Sequence, residues 1–232
     1  ASNESIAVVH GMRRPPRTKA SLLDIGCAGP LAGLVVTLVV CFVGLELSEI
    51  RSFSSLPENT WMEGNSLLYM LLKKLAHPDL GPHQDVWLHP VAWAGWVGIL
   101  VTSLNLLPAG QLDGGHVLYA LTGPGLHKRV ARVVHVVVFV MGLVGLACYL
   151  AMLHGPTMRQ LGEMGLAGMV GRGSGMLVWL IWTILLRFVG HAHPPVVDSD
   201  TPLDRGRLAV GGITLLVLIM TFTPVIGSPL NP

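Results

Sequence analysis

Between Ser103 and Leu121 an apolar run is interrupted by a handful of side chains that could do chemistry. Asn105, Gln111 and Asp113 are strongly polar, and Asp113 stands between Leu112 and the pair Gly114-Gly115. A carboxylate beside hydrocarbon is costly, so an ionisable residue at membrane depth is a functional-site candidate that faces a cavity or a partner. Pro108 removes a backbone donor, and Gly110, Gly114 and Gly115 loosen the chain around it. The stretch therefore predicts a broken or re-entrant helix over Pro108–Gly115. Spacing alone leaves a second reading open, a helix-ending turn with one solvated Asp at the membrane surface.

The elements that must position these residues are apolar. Of 232 residues, 51% are hydrophobic and 12% charged, with a mean hydropathy of +0.61. About 25% charged residues is usual in a soluble domain, so the composition predicts an all-α polytopic membrane protein. A formal charge of +2, with no basic patch interleaved with aromatics, excludes nucleic acid as a partner and leaves membrane lipid. Cys27, Cys41 and Cys148 lie in or beside apolar runs without a Cys-x-x-Cys, and read as small buried hydrophobes.

About five transmembrane helices are expected, over 28–47, 86–107, 130–153, 174–190 and 208–226, each near the 20 residues that cross a bilayer core of about 30 Å. Residues 1–27 read as a basic cytoplasmic linker, with Arg13, Arg14, Arg17 and Lys19 around Pro15-Pro16. Residues 28–122 form a core, and 123–232 carry the C-terminal transmembrane helices. Gly29 and Gly33 share one helix face, where small residues admit a second helix closely; that partner could equally be a helix of this chain. Residues 46–85 form an acidic non-cytoplasmic loop. Within it, 66–76 carries Leu67, Leu68, Leu71, Leu72 and Leu75, the stripe of an interfacial amphipathic helix. Residues 154–173 read as a flexible loop. His77, His83 and His89 read as surface histidines, His135 as a packing residue inside a span, and Asp198, Asp200 and Asp204 as solvated. His191 and His193 are a poor pair for one helix face.

Two motifs carry a resemblance. Asn105-x-x-Pro108 followed by Leu112-Asp113-Gly114-Gly115 resembles the second signature of the site-2 protease family (peptidase M50), the intramembrane zinc metalloproteases. Asp24 to Gly33, with Gly29-Pro30 at its centre, is similar to the segment that follows the first catalytic helix of that family, and the two motifs come in the family's order. The resemblance implies that Asp113 is a carboxylate ligand of one Zn2+, that Asn105 and Pro108 lie at the substrate, and that Gly29, Pro30, Gly33, Gly114 and Gly115 are structural. It implies a hydrolase acting on transmembrane protein substrates, in a bacterial inner membrane or a plastid membrane, with the site near the cytoplasmic or stromal face.

The family's His-Glu-x-x-His signature does not occur in this sequence: none of the ten histidines is followed by Glu. One expectation is that the general-base Glu and two His ligands come from a part of the same protein upstream of Ala1, this chain being inactive by itself. The alternative is a catalytically inactive homologue that serves as a membrane binding or chaperone scaffold. A third reading, a transporter with a proton-coupled Asp, would call for internally symmetric repeats, and none is evident.

Overall fold

The computed structural model describes residues 18–57, 60–154, 167–189, 196 and 201–229. The expected linker from Ala1 through the basic residues Arg13, Arg14 and Arg17, and the loop residues His191, His193, Asp198 and Asp200, lie outside the described residues. Seven helices organise what is described: α1 (Lys19–Glu46), α2 (Leu67–Ala76), α3 (Pro90–Asn105), α4 (Asp113–Leu153), α5 (Ala167–Ser174), α6 (Val178–Val189) and α7 (Arg205–Thr221).

The molecule is mostly helical but not all-α. Among the described residues, two small antiparallel ribbons join the loops at one end: β1 (Glu49–Ser52) pairs with β3 (Gln84–Trp87), and β2 (Trp61–Glu63) pairs with β4 (Gly227–Pro229). Hydropathy does not register these segments because they are short and half-exposed. The β2–β4 pairing ties the end of the described chain to the loop after α1, with Trp61 opposite Pro229 and Glu63 opposite Gly227.

The first helix begins at Lys19 rather than at residue 28, so the expected linker that runs from Ala1 to Cys27 gives up its last nine positions to α1. Thr18 caps the helix, accepting from the Ser21 amide at 3.1 Å while the Ser21 hydroxyl accepts from the Thr18 amide at 3.3 Å. This reciprocal cap starts the helix ahead of the apolar run, and Pro30 lies inside it without ending it. Among the described residues, three helical stretches are long and apolar enough to cross a membrane: Lys19–Glu46, Asp113–Leu153 and Gly168–Phe188. The helices α3 and α7, at 16 and 17 residues, are shorter. Part of the expected flexible loop is helical as α5. In α4, Gly123 leaves the helical region with φ 80° and Pro124 follows, so 113–122 and 124–153 are two limbs across a kink.

Packing joins three apolar clusters. One groups Cys41 and Leu45 of α1 with Tyr69 and Leu72 of α2, Val86, and Ala92, Trp96 and Ile99 of α3. A second joins Leu22, Leu23 and Cys27 of α1 to Val117, Tyr119 and Ala120 of α4, with Val196. The third packs the 104–109 turn region against Ala131, Val138, Trp179 and Leu186. The Trp179 indole donates to the Pro224 carbonyl at 2.6 Å. All three cysteines are free thiols. Outside these clusters, Val35, Val36 and Val39 of α1, Val133, Val136 and Val137 of α4, and Ile213, Leu216 and Ile219 of α7 are exposed, an outward aliphatic surface that suits lipid.

Candidate functional site

The polar stretch around Asp113 becomes a tight turn between two helices. The helix α3 ends at Asn105, residues 106–112 are non-helical, and α4 opens on Asp113. The turn is closed by short local bonds, from the Ala109 amide to the Leu107 carbonyl at 2.8 Å and from the Leu112 amide to the Ala109 carbonyl at 3.2 Å. Gly110 takes φ 53°, a left-handed conformation that favours glycine.

Gly114 and Gly115 have a specific steric reason. A methyl group on Gly114 would collide with the Leu106 carbonyl, and one on Gly115 would stand 2.5 Å from the Gly110 carbonyl oxygen. The first turn of α4 therefore lies directly against the backbone of the 106–110 turn, and only hydrogen fits between them. This contact aims Asp113, the acidic residue of that first turn, where a helix N-terminus favours negative charge.

The helix α1 brings the second motif to the same place. A methyl group on Gly26 would stand 2.9 Å from His116 Cβ and 3.0 Å from the Asp113 carbonyl oxygen, so α1 and α4 cross there with almost no gap. One Asp113 carboxylate oxygen comes within 4.0 Å of where a Gly29 Cβ would stand. Gly26 is a positioning residue inside the Asp24–Gly33 segment that was not among the candidate residues, because the expected linker over 1–27 kept it out of a helix.

The result is a groove of about 510 Å³ along α1 and α3. Gly29, Pro30 and Gly33 form one wall, Gly98 and Thr102 are on the other, and Asn105 and Asp113 lie at one end. Every candidate residue from the sequence lines this groove or shapes the turn that carries it. Pro108 is in the turn and half-buried. Among the described residues nothing covers the small-residue face: a methyl on Gly33 would meet no atom within 4 Å. Close packing among this chain's own described helices is therefore not what Gly29 and Gly33 serve here.

These residues do not make a zinc centre by themselves. Among the described residues, no group of three His, Cys, Asp or Glu is placed to hold a metal ion. The general-base Glu and the two His ligands expected upstream of Ala1 are outside the described residues. What the groove offers is one hard oxygen donor, Asp113, beside an amide side chain, Asn105. His116, three residues after Asp113, is buried at the α1–α4 crossing.

Other charges are organised away from the groove. Arg207 of α7 holds both Asp24 carboxylate oxygens, through Nε at 3.0 Å and Nη2 at 2.8 Å, and reaches Asp204 with Nη1 at 2.7 Å. Asp204 also caps α7, accepting from the Arg207 amide at 3.0 Å. That amide bond, followed by the guanidinium, holds the Asp204 carboxyl below its usual range; its side chain is largely exposed, as the sequence suggested, but it is not free. His77 reaches the Leu45 carbonyl at 2.9 Å and His89 caps α3, so both are half-buried structural residues. His83 is exposed.

The chain matches the model of Peptidase family M50 over residues 7–148. It belongs to that family. Curated relatives agree. The chain is 27% identical over 214 residues to "Probable zinc metalloprotease EGY1, chloroplastic" of Arabidopsis thaliana, covering 89% of this chain and 33% of that protein. It is 36% identical over 110 residues to the rice (Oryza sativa subsp. japonica) protein of the same name, covering 45% of this chain and 19% of that one. It is 33% identical over 136 residues to "Probable zinc metalloprotease EGY3, chloroplastic" of Oryza sativa subsp. indica, covering 58% and 18%. The chain thus spans about a third or less of the length of these relatives. No solved structure matches it.

Proposed function

We propose that this chain is part of an intramembrane zinc metalloendopeptidase that cleaves the membrane-spanning segment of protein substrates. The observation that carries the reading is the groove: a carboxylate and an amide at the end of a small-residue face that no described helix covers. Asp113 is the carboxylate ligand, and Asn105 with Pro108 at the turn meets the substrate backbone. The helix that fills the Gly29–Gly33 face comes from another part of the same protein, upstream of Ala1, and carries two His ligands and the general-base Glu. Zinc bound there would polarise the scissile carbonyl and lower the pKa of a water.

The same reading makes α3 and α7 membrane spans too, five in all with α1, the 124–153 limb of α4 and the α5–α6 run, and makes Pro108–Gly115 a re-entrant segment. A plastid membrane is supported by the chloroplastic names of the relatives, and there the site would face the stroma; a bacterial inner membrane is the other home for this architecture. The second reading, a scaffold homologue without catalysis, is favoured by the lack of His-Glu-x-x-His in this sequence.

Elemental analysis of the purified full-length protein tests the choice. About one zinc per chain, lost together with substrate cleavage in Asp113→Asn while the protein still folds, is expected of the protease. A folded, zinc-free full-length protein would establish the scaffold instead, and cleavage retained by Asp113→Asn would remove Asp113 from the ligand set.

A further inference from the structure

The helix α2 is built inside out. A surface helix in water turns leucines to the body and charges to solvent. Here Lys73 points inward and is 6% exposed. Its Nζ lies 2.7 Å from Glu63 Oε1 and 2.8 Å from Asp85 Oδ1. The Tyr69 hydroxyl donates to the same Glu63 oxygen at 3.0 Å, and the Lys73 ammonium stands 4.8 Å from the Tyr69 ring centre. Burial and Glu63 push the Tyr69 hydroxyl well above its usual pKa range. The leucines point the other way: Leu67, Met70, Leu71 and Leu75 are 54%, 53%, 48% and 60% exposed.

The sequence stripe of leucines is thus not the face that docks on the protein. Only Leu72 of that stripe is buried, alongside Tyr69. A helix that turns Lys73 into an inner ion-pair cluster and shows four large aliphatic side chains outward is matched to a hydrocarbon neighbour, not to water. Its place in the fold says which one. The inner face of α2 packs on Cys41 and Leu45 near the end of α1 and on Ala92 and Trp96 near the start of α3, the level at which both apolar helices stop. Trp61, Trp87 and Trp93 are exposed in the segments around it, and tryptophan concentrates where lipid meets water. Lys74 is exposed among the leucines, as a long cation is when its stem lies on hydrocarbon and its ammonium reaches phosphate.

We propose that the outward face of α2, formed by Leu67, Met70, Leu71 and Leu75 with Lys74, is seated in the boundary between headgroups and acyl chains. The Glu63–Lys73–Asp85 cluster is the protein-side anchor that holds this helix against the ends of α1 and α3. The occupant of the face is lipid. This inference rests on the reading of α1 as a membrane span.

Spin-label accessibility in the full-length protein, reconstituted in phosphatidylcholine–phosphatidylglycerol vesicles, tests it. Nitroxides are placed by Leu71→Cys and, separately, Leu75→Cys. Val36→Cys, on the exposed face of α1, is the hydrocarbon reference, and Ser54→Cys, in the exposed turn after β1, is the aqueous one. Protein with only its native cysteines is the labelling blank. Collision with oxygen should exceed collision with a nickel chelate severalfold at both α2 positions, as at Val36, and fall below it at Ser54. Nickel-dominated collision at Leu71 and Leu75 would overturn the proposal, and so would shielding from both reagents, which would mean that a second copy or another segment of the protein covers α2. Nickel-dominated collision at Val36 would instead overturn the span reading beneath it.

Discussion

The two ends of α1 use glycine for the same steric purpose with opposite outcomes. Near its C-terminal end, Gly44 lies so close to Ala92 of α3 that a methyl group would strike the Ala92 backbone, and Gly95 of α3 lies equally close to the Cys41 backbone. Small residues there let α1 and α3 touch. Nearer its start, Gly29 and Gly33 offer the same kind of surface, yet a methyl on Gly33 meets nothing within 4 Å and one on Gly29 meets only the Asp113 carboxylate at the 4.0 Å limit. One glycine face is spent on this chain's own fold. The other is left open beside the groove with the chemistry at its end.

The closed end is the more sensitive to size. Gly95→Leu must push α1 and α3 apart against backbone atoms that cannot yield. Overpacking costs of about 1–3 kcal/mol are usual and larger ones occur, and a backbone collision falls at the upper end. We expect a melting temperature lower by roughly 6–12 °C, or failure to accumulate folded protein, measured by thermal unfolding in detergent. A wild-type melting curve would remove the distinction between the two ends.

The open end reverses the expectation. Gly33→Leu should change the stability of this region by less than about 0.5 kcal/mol, as substitutions away from packed features do. In the full-length protein the same change should expel the helix proposed to dock there, with loss of bound zinc and of cleavage. Normal zinc content in Gly33→Leu would mean that the face is open for another reason.

How far this difference was legible in the sequence follows from the physics of each feature. Glycines four apart announce that something approaches a helix closely, and the Pro108–Gly115 run announces a broken helix, because both are local properties of backbone and side-chain size. Which helix approaches is a long-range property, and Gly29 and Gly44 look alike until α3 is seen to cover only one of them. The helix at 66–76 was readable from its stripe, and an interfacial place was the expectation for it, but not what holds its opposite face. That face is held by Glu63 and Asp85 meeting Lys73 from β2 and β3, elements too short to leave a hydropathy signal. The start of α1 was hidden for a related reason: Lys19 and Asp24 read as linker charges, although Thr18 caps the helix before them and Asp24 is held by Arg207, 183 residues away.

That last contact gives the lower end of α1 a closed side as well as an open one, and it predicts the smallest effect. Asp204 and Asp24 converge on Arg207 where α7 meets α1. The Asp204 carboxyl titrates below its usual value, first because the Arg207 amide donates to it and then because the guanidinium does. A carboxyl with a depressed folded-state pKa adds stability above its unfolded value of about 3.9, and that stability is lost as pH falls through the folded value. The group is exposed, so water and salt screen it and the contribution is small. Unfolding midpoints measured from pH 6 down to pH 3 should therefore fall slightly less steeply in Asp204→Asn than in the unaltered protein, with the curves closest at the acid end. If the two curves run parallel throughout, the cap and ion pair at Asp204 do not hold α7 against α1, and the packing of Leu121 and Leu23 on Gly211 is what closes that side.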